Sequence, residues 1–148
     1  MKRLLLAPLL IYISLLNMGF MGKPKLEALY CDQEKYMKAS IEEMWENFPW
    51  IYDNKNGKLY KYDTFLNEIN FMATDKVGDS LYTFESRLDG NILKIKETET
   101  SYGYVYDGRY IIDTKQKKST HYEEGYPEKK YINRCIKLDL PKGVKINY

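Results

Sequence analysis

Histidine, cysteine and proline are scarce in this chain, and each scarcity removes a class of chemistry. One histidine and two cysteines cannot furnish the four ligands of a structural zinc site. A hydrolytic triad would have to use His121 as its base. Its neighbours do not help, because Thr120 points to the opposite side of a strand and Ser119 stands two residues off, beside a lysine-rich turn. No G-x-S-x-G elbow, P-loop, dinucleotide glycine pattern or H-E-x-x-H pair occurs, so neither a metal nor another cofactor is expected. The polar run Asp53-Asn54-Lys55-Asn56-Gly57 puts Asn54, Asn56 and Gly57 at the third, fifth and sixth places of a calcium loop. Tyr52 then occupies the first place, which needs a carboxylate, and the site fails.

A long uncharged run occurs once, at the front. Lys2 and Arg3 precede thirteen uncharged residues, Leu4 to Leu16, followed by Asn17 and the glycines Gly19 and Gly22. A basic start, a short apolar run and a polar exit describe a secretory signal peptide. The alternative is an uncleaved membrane anchor, since Leu4 to Gly22 approaches the roughly 20 residues of a span, although Pro8 and Asn17 interrupt it. We assign residues 1–28 to this leader, with Ala28, Gly22 or Gly19 as the cleavage point, and residues 29–148 to a single small exported domain, periplasmic or extracellular. Membrane contact follows only from the anchor alternative.

Removing the leader changes the charge. Residues 1–28 carry Lys2, Arg3, Lys23 and Lys25 against Glu27, a net of +3, so a chain of +2 becomes one of −1. A basic footprint for nucleic acid is therefore absent. Both cysteines lie beyond the leader, and an oxidising compartment makes a Cys31–Cys135 disulfide the expected state.

Tyrosine is abundant, with 15 residues, and aromatics reach 15% of the chain. That composition suits half-buried strands. Tyr36, Met37, Ile41, Met44, Trp45 and Phe48 recur at helical spacing between Asp32 and Pro49, predicting an N-terminal amphipathic helix. A second short helix is expected over Phe65, Leu66, Ile69 and Met72. Trp50–Tyr52, Lys58–Tyr62, Ser119–Tyr122 and Tyr131–Leu140 read as strands. Asp89-Gly90 and Asp107-Gly108 read as two-residue hairpin loops. For the first, a loop at Gly90-Asn91 would oppose Arg87 and Lys94, a like-charge pair that sheets avoid, so the Asp89-Gly90 register is preferred. The predicted fold is α+β, mainly antiparallel β: the helix packed on a curled β-meander or small barrel.

Three readings of function remain. The second hairpin aligns Tyr102, Tyr104 and Tyr106 on one strand face, with Arg109 opposite Tyr106, and rigid aromatics with an arginine favour protein or carbohydrate partners. This predicts a non-enzymatic binding or interaction module. The alternatives are a small hydrolase using two of the many carboxylates, Glu97, Glu99, Asp107, Asp113 and Glu123 among them, or a membrane-anchored structural protein.

Overall fold

A computed structural model describes residues 22–32, 39–123 and 130–148, so most of the segment expected to be a leader, residues 1–21 of 1–28, lies outside the described part. Eleven strands carry it: β1 (Leu26–Asp32), β2 (Trp50–Asp53), β3 (Leu59–Asp63), β4 (Glu68–Phe71), β5 (Thr74–Val77), β6 (Ser80–Asp89), β7 (Ile92–Ser101), β8 (Tyr104–Asp113), β9 (Lys118–Glu123), β10 (Lys130–Leu138) and β11 (Lys145–Asn147). They form one sheet in the order β11-β4-β3-β2-β1-β10-β9-β8-β7-β6-β5. All neighbours are antiparallel except β11, which runs parallel to β4. Among the described residues no helix is long and apolar enough to cross a membrane.

The α+β expectation is overturned: the described chain is nearly all β, in one mixed sheet, with no N-terminal helical layer. Asp32, expected to cap a long helix, ends a strand instead. The helical pattern survives only as α1 (Ile41–Glu46), six residues opened by a capping box. There Ser40 Oγ accepts from the Glu43 amide at 3.2 Å, and Glu43 Oε2 accepts from the Ser40 amide at 2.7 Å. The rest of the expected stripe, residues 33–38, lies outside the described residues. The second expected helix is absent too. Asp63 Oδ1 accepts from the amides of Phe65 and Leu66 as a cap would, but Asn67 adopts φ 51° and the chain reverses into β4.

Two cores hold the sheet. One gathers Ala28, Ile51, Tyr60 and Ile69 with Met44 and Trp45 from α1. The other, on the opposite face, joins Leu29, Tyr52 and Leu59 to Leu93, Ile95 and Ile112. The sheet thus bends back so that β6–β8 cover β1–β3. Leu88 N–H donates to Asn56 O at 3.3 Å across the closure. Gly57 (φ 76°) sits so tightly there that a Cβ would collide with the backbone of Arg87 and Leu88. Cys31 and Cys135 face each other on β1 and β10 and are disulfide-bonded, closing a separation of 104 residues.

Hairpin registers differ from expectation in an instructive way. Gly90-Asn91, not Asp89-Gly90, forms the β6–β7 loop, and Arg87 does oppose Lys94. Only Gly90 of the pair has positive φ, the requirement of a type II′ turn. The alternative register is shifted by two residues, which keeps every side chain on its face. What decides is pairing: Leu88 meets Leu93 and Ser86 meets Ile95 in the core, while the repulsion falls on the wet face, where Asp89 binds Lys94 at 3.2 Å. Asp107-Gly108 makes no turn at all, because β8 runs through it. Tyr102-Gly103, with φ 48° and 81°, supplies both positive values of the β7–β8 turn instead.

Candidate functional site: an aromatic cleft at the bend

Where β4 passes into β5 the chain has only Met72 and Ala73 to turn with, and the sheet folds over there. A pocket of about 250 Å³ opens at that bend. Trp45 and Phe48 close it from the α1 side, Tyr60 and Tyr62 from β3, and Tyr82 and Phe84 from β6. Its charged groups are Lys61, Asp75 and Glu97. Lys61 Nζ is fixed by both oxygens of Asp75, at 2.9 and 2.7 Å.

Phe48 is held in an unusual state. It follows the end of α1 with φ 54°, the left-handed position that glycine ordinarily fills, and it precedes Pro49, which disfavours helical conformations. The residue is 68% exposed at the mouth of the cleft, with Lys61 Nζ 5.1 Å from the ring centre. A bulky side chain kept at such a backbone position points to use rather than packing.

Alternation along the strands sorts charge between the two faces of β5–β9. The face that carries Leu93, Ile95 and Ile112 also carries the cross-strand row Asp75–Tyr82–Glu99–Tyr106 and the row Phe84–Glu97–Gly108–Glu123. Every lysine and arginine of these strands (Lys76, Arg87, Lys94, Lys96, Arg109 and Lys118) lies on the other face. The inner face holds acids and aromatics with no basic residue from these strands; the outer face is mixed, its six basic groups set against Glu85, Asp89, Asp107 and Asp113. Burial pushes the Glu97 carboxyl above its usual range, and the neighbouring Glu99 adds to the shift. Gly108 leaves an open place between Glu97 and His121: a Cβ there would stand 3.8 Å from Glu97 Oε1 and 3.4 Å from His121 Nε2.

A ladder of rings continues from the cleft across this face. Tyr110 lies 4.9 Å from Trp50 and stacks on His121 at 4.2 Å, and His121 lies 5.9 Å from Tyr131. Burial lowers the imidazole pKa, against a smaller upward pull from Glu123, and the ring serves as an aromatic rung. Burial raises the Tyr110 phenol strongly, helped by Glu97 and Glu123.

The residues anticipated from sequence fall differently. Tyr104 and Tyr106 share a face of β8, but Tyr102 is in the preceding turn, where its hydroxyl donates to Asp79 Oδ2 at 3.0 Å. The three are 80%, 67% and 59% exposed. Arg109 is not opposite Tyr106; it lies on the other face, across from Lys96, with its guanidinium 5.6 Å from the Tyr122 ring centre. Since Asp107-Gly108 does not turn, the presumed Tyr106–Arg109 pairing does not form. In the cleft Trp45 and Phe48, in and just after α1, meet Tyr82 of β6 and Glu97 of β7. Only the density of aromatics before Pro49 and the inward parity of Glu97 hinted at them.

Comparison with known proteins gives no matching family model, curated protein or solved structure.

Proposed function

We propose that this is a non-enzymatic binding module of an exported domain, and that its site is the aromatic cleft at the bend. The observation that carries the reading is Phe48, a large ring displayed at the cleft mouth from a strained backbone position. A pocket of 250 Å³ is smaller than the 300 Å³ or so at which drug-sized sites begin, so it suits one ring-sized group of a larger partner, a protein or a carbohydrate. The exposed Tyr104 and Tyr106 extend the same face and offer further stacking surface. The disulfide is compatible with an oxidising compartment. Cleavage at Gly19 or Gly22 would leave β1 whole, whereas cleavage after Ala28 would cut it.

A carboxylate hydrolase is the second reading, favoured by one observation: Glu97, with a raised pKa, and Asp75 share the cleft. Asp75, however, accepts from Lys61 through both oxygens, so within the pocket lining the second carboxylate is held in an ion pair. Binding is the better account.

The test uses Phe48→Gly. Glycine suits the backbone, so stability should hold or rise by up to about 1–2 kcal/mol, while the mouth loses its ring. Titration of the disulfide-bonded protein with cyclohexanol and with glucose, followed by amide and indole shifts, should move Trp45, Trp50 and Tyr82 in the parent and weaken sharply in the variant. Shifts confined to residues away from the cleft, or none at millimolar probe, would refute the reading.

A further inference from the structure

The charge sorting of β5–β9 says more about the ligand than the aromatic walls do. On the inner face stand Asp75, Glu97, Glu99 and Glu123, and these strands supply no lysine or arginine to answer them. Lys61 reaches the cleft from β3, but it is bound to Asp75 through two contacts, and the pair is neutral as a unit. Glu97 is the remaining charge in the pocket lining. Around it are the faces and edges of aromatic rings, whose quadrupoles attract cations and repel anions. The cleft already contains one such contact, Lys61 Nζ above Phe48.

We propose that the cleft selects a cationic group, an ammonium carried on a ring-sized body, with the aromatic walls around the body and Glu97 as the counter-ion. This rests on the binding reading above and adds the ligand's chemical class. The ammonium can come from an amino sugar or from an aliphatic amine. Both satisfy the same chemistry: one positive charge, N–H donors towards a carboxylate, and apolar C–H surface for the rings.

The pH dependence has a definite sign. Facing Glu97 are Phe84 and Tyr82 from β6, Glu99 on its own strand, Gly108, Tyr106 and Tyr110 from β8, and His121 and Glu123 from β9; Asp75 on β5 and Lys61 on β3 complete the lining. A cation prefers the ionised carboxylate. Affinity should therefore be greatest near neutral pH, where the carboxylate is ionised and the amine still protonated, and fall as pH drops through the raised Glu97 range. Protonation of His121, delayed to lower pH by burial, adds to the loss.

The experiment compares matched pairs on the full disulfide-bonded protein: cyclohexylamine against cyclohexanol, and glucosamine against glucose, at pH 7.5 and 5. At pH 7.5 at least one amine should bind about tenfold tighter than its neutral partner, and that arm identifies the source. Glu97→Gln, a change of nearly equal volume, should bring the ratio close to one. Equal affinity for amine and neutral partner in the parent, or a preference that survives Glu97→Gln, would overturn the cationic assignment. In either case the binding reading stands if the neutral probes still bind and Phe48→Gly still weakens them. If no probe of either kind perturbs the cleft, both fail together.

Discussion

The first four strands and the long meander β6–β8 are built to different ends. Strands β1–β4 have seven residues at most and lie between the two cores, with Ala28, Ile51 and Ile69 packed on one face and Leu29, Tyr52 and Leu59 on the other. Strands β6, β7 and β8 have ten residues each, but only one end of one face is buried, around Leu93, Ile95 and Ile112. Their other ends run past the core and hold Glu99, Tyr104 and Tyr106. Burial on both faces stabilises the first region, whereas the second keeps half its length free to meet something else. The difference teaches where to look: large side chains outside the core gather at the open end of the meander, and Phe48 joins core residues Trp45 and Tyr60 at the bend beside it.

The sharpest way to break that comparison is by truncation in both regions. Ile69→Ala and Leu93→Ala remove fully buried side chains, one from each core, and each should lower unfolding free energy by about 2–5 kcal/mol in urea titration. Tyr104→Ala and Tyr106→Ala should each stay within about 0.5 kcal/mol of the parent. Large losses at the tyrosines would make the meander tip part of the core and end the distinction.

A smaller effect is expected at Glu97. Its folded pKa is raised, so the favourable contribution is present below the unfolded value and disappears as pH rises through the folded one. At neutral pH the ionised carboxylate opposes folding. Glu97→Gln should therefore raise the melting temperature at pH 7.5 and lose that advantage at pH 4, a trade of stability for binding. Glu27 in the doubly buried region behaves oppositely. Burial pushes its carboxyl up, but hydrogen bonds from Asn54 at 3.2 Å and Tyr52 at 3.0 Å, with Lys137 nearby, outweigh that and lower it. Its contribution is present at neutral pH and is lost in acid.

The smallest effect lies on the outer face. Arg87 stands opposite Lys94, and Lys96 opposite Arg109, two like-charge pairs in adjacent rows. Arg87→Glu turns one of them attractive and should gain about 0.2–1 kcal/mol in the same titration, less at high salt.

Much of this architecture was legible from local chemistry. The cysteine pair, β2, β3, β9 and β10, and the inward and outward faces of β6 and β7 follow from alternation and composition. What was not legible depended on competition between distant parts. A rule against like charges cannot outweigh the burial of Leu88 against Leu93, and nothing local reveals that Leu93 is buried. Helical spacing around Met44 and Trp45 was real, yet the backbone of Asp32 belongs to β1, in register with Arg134 of the distant β10. Asp107-Gly108 has good turn chemistry, but β9 pairs with Gly108 and holds it extended, while Tyr102-Gly103 turns despite its tyrosine. The cleft was hidden for the same reason, since its walls are brought together only by the bend.

The position of β1 in the sheet has a kinetic consequence. Its neighbour β2 begins only 18 positions after β1 ends, but its other neighbour, β10, is synthesised last but one among the strands. Until Lys130–Leu138 arrive, one edge of β1 offers unpaired amides and carbonyls, and the Cys31 thiol has no partner thiol. Such long-range pairing slows folding and exposes strand edges to wrong partners. The interval between making β9 and docking β10 is thus when this protein is most open to capture by an isomerase, a chaperone or another copy of itself.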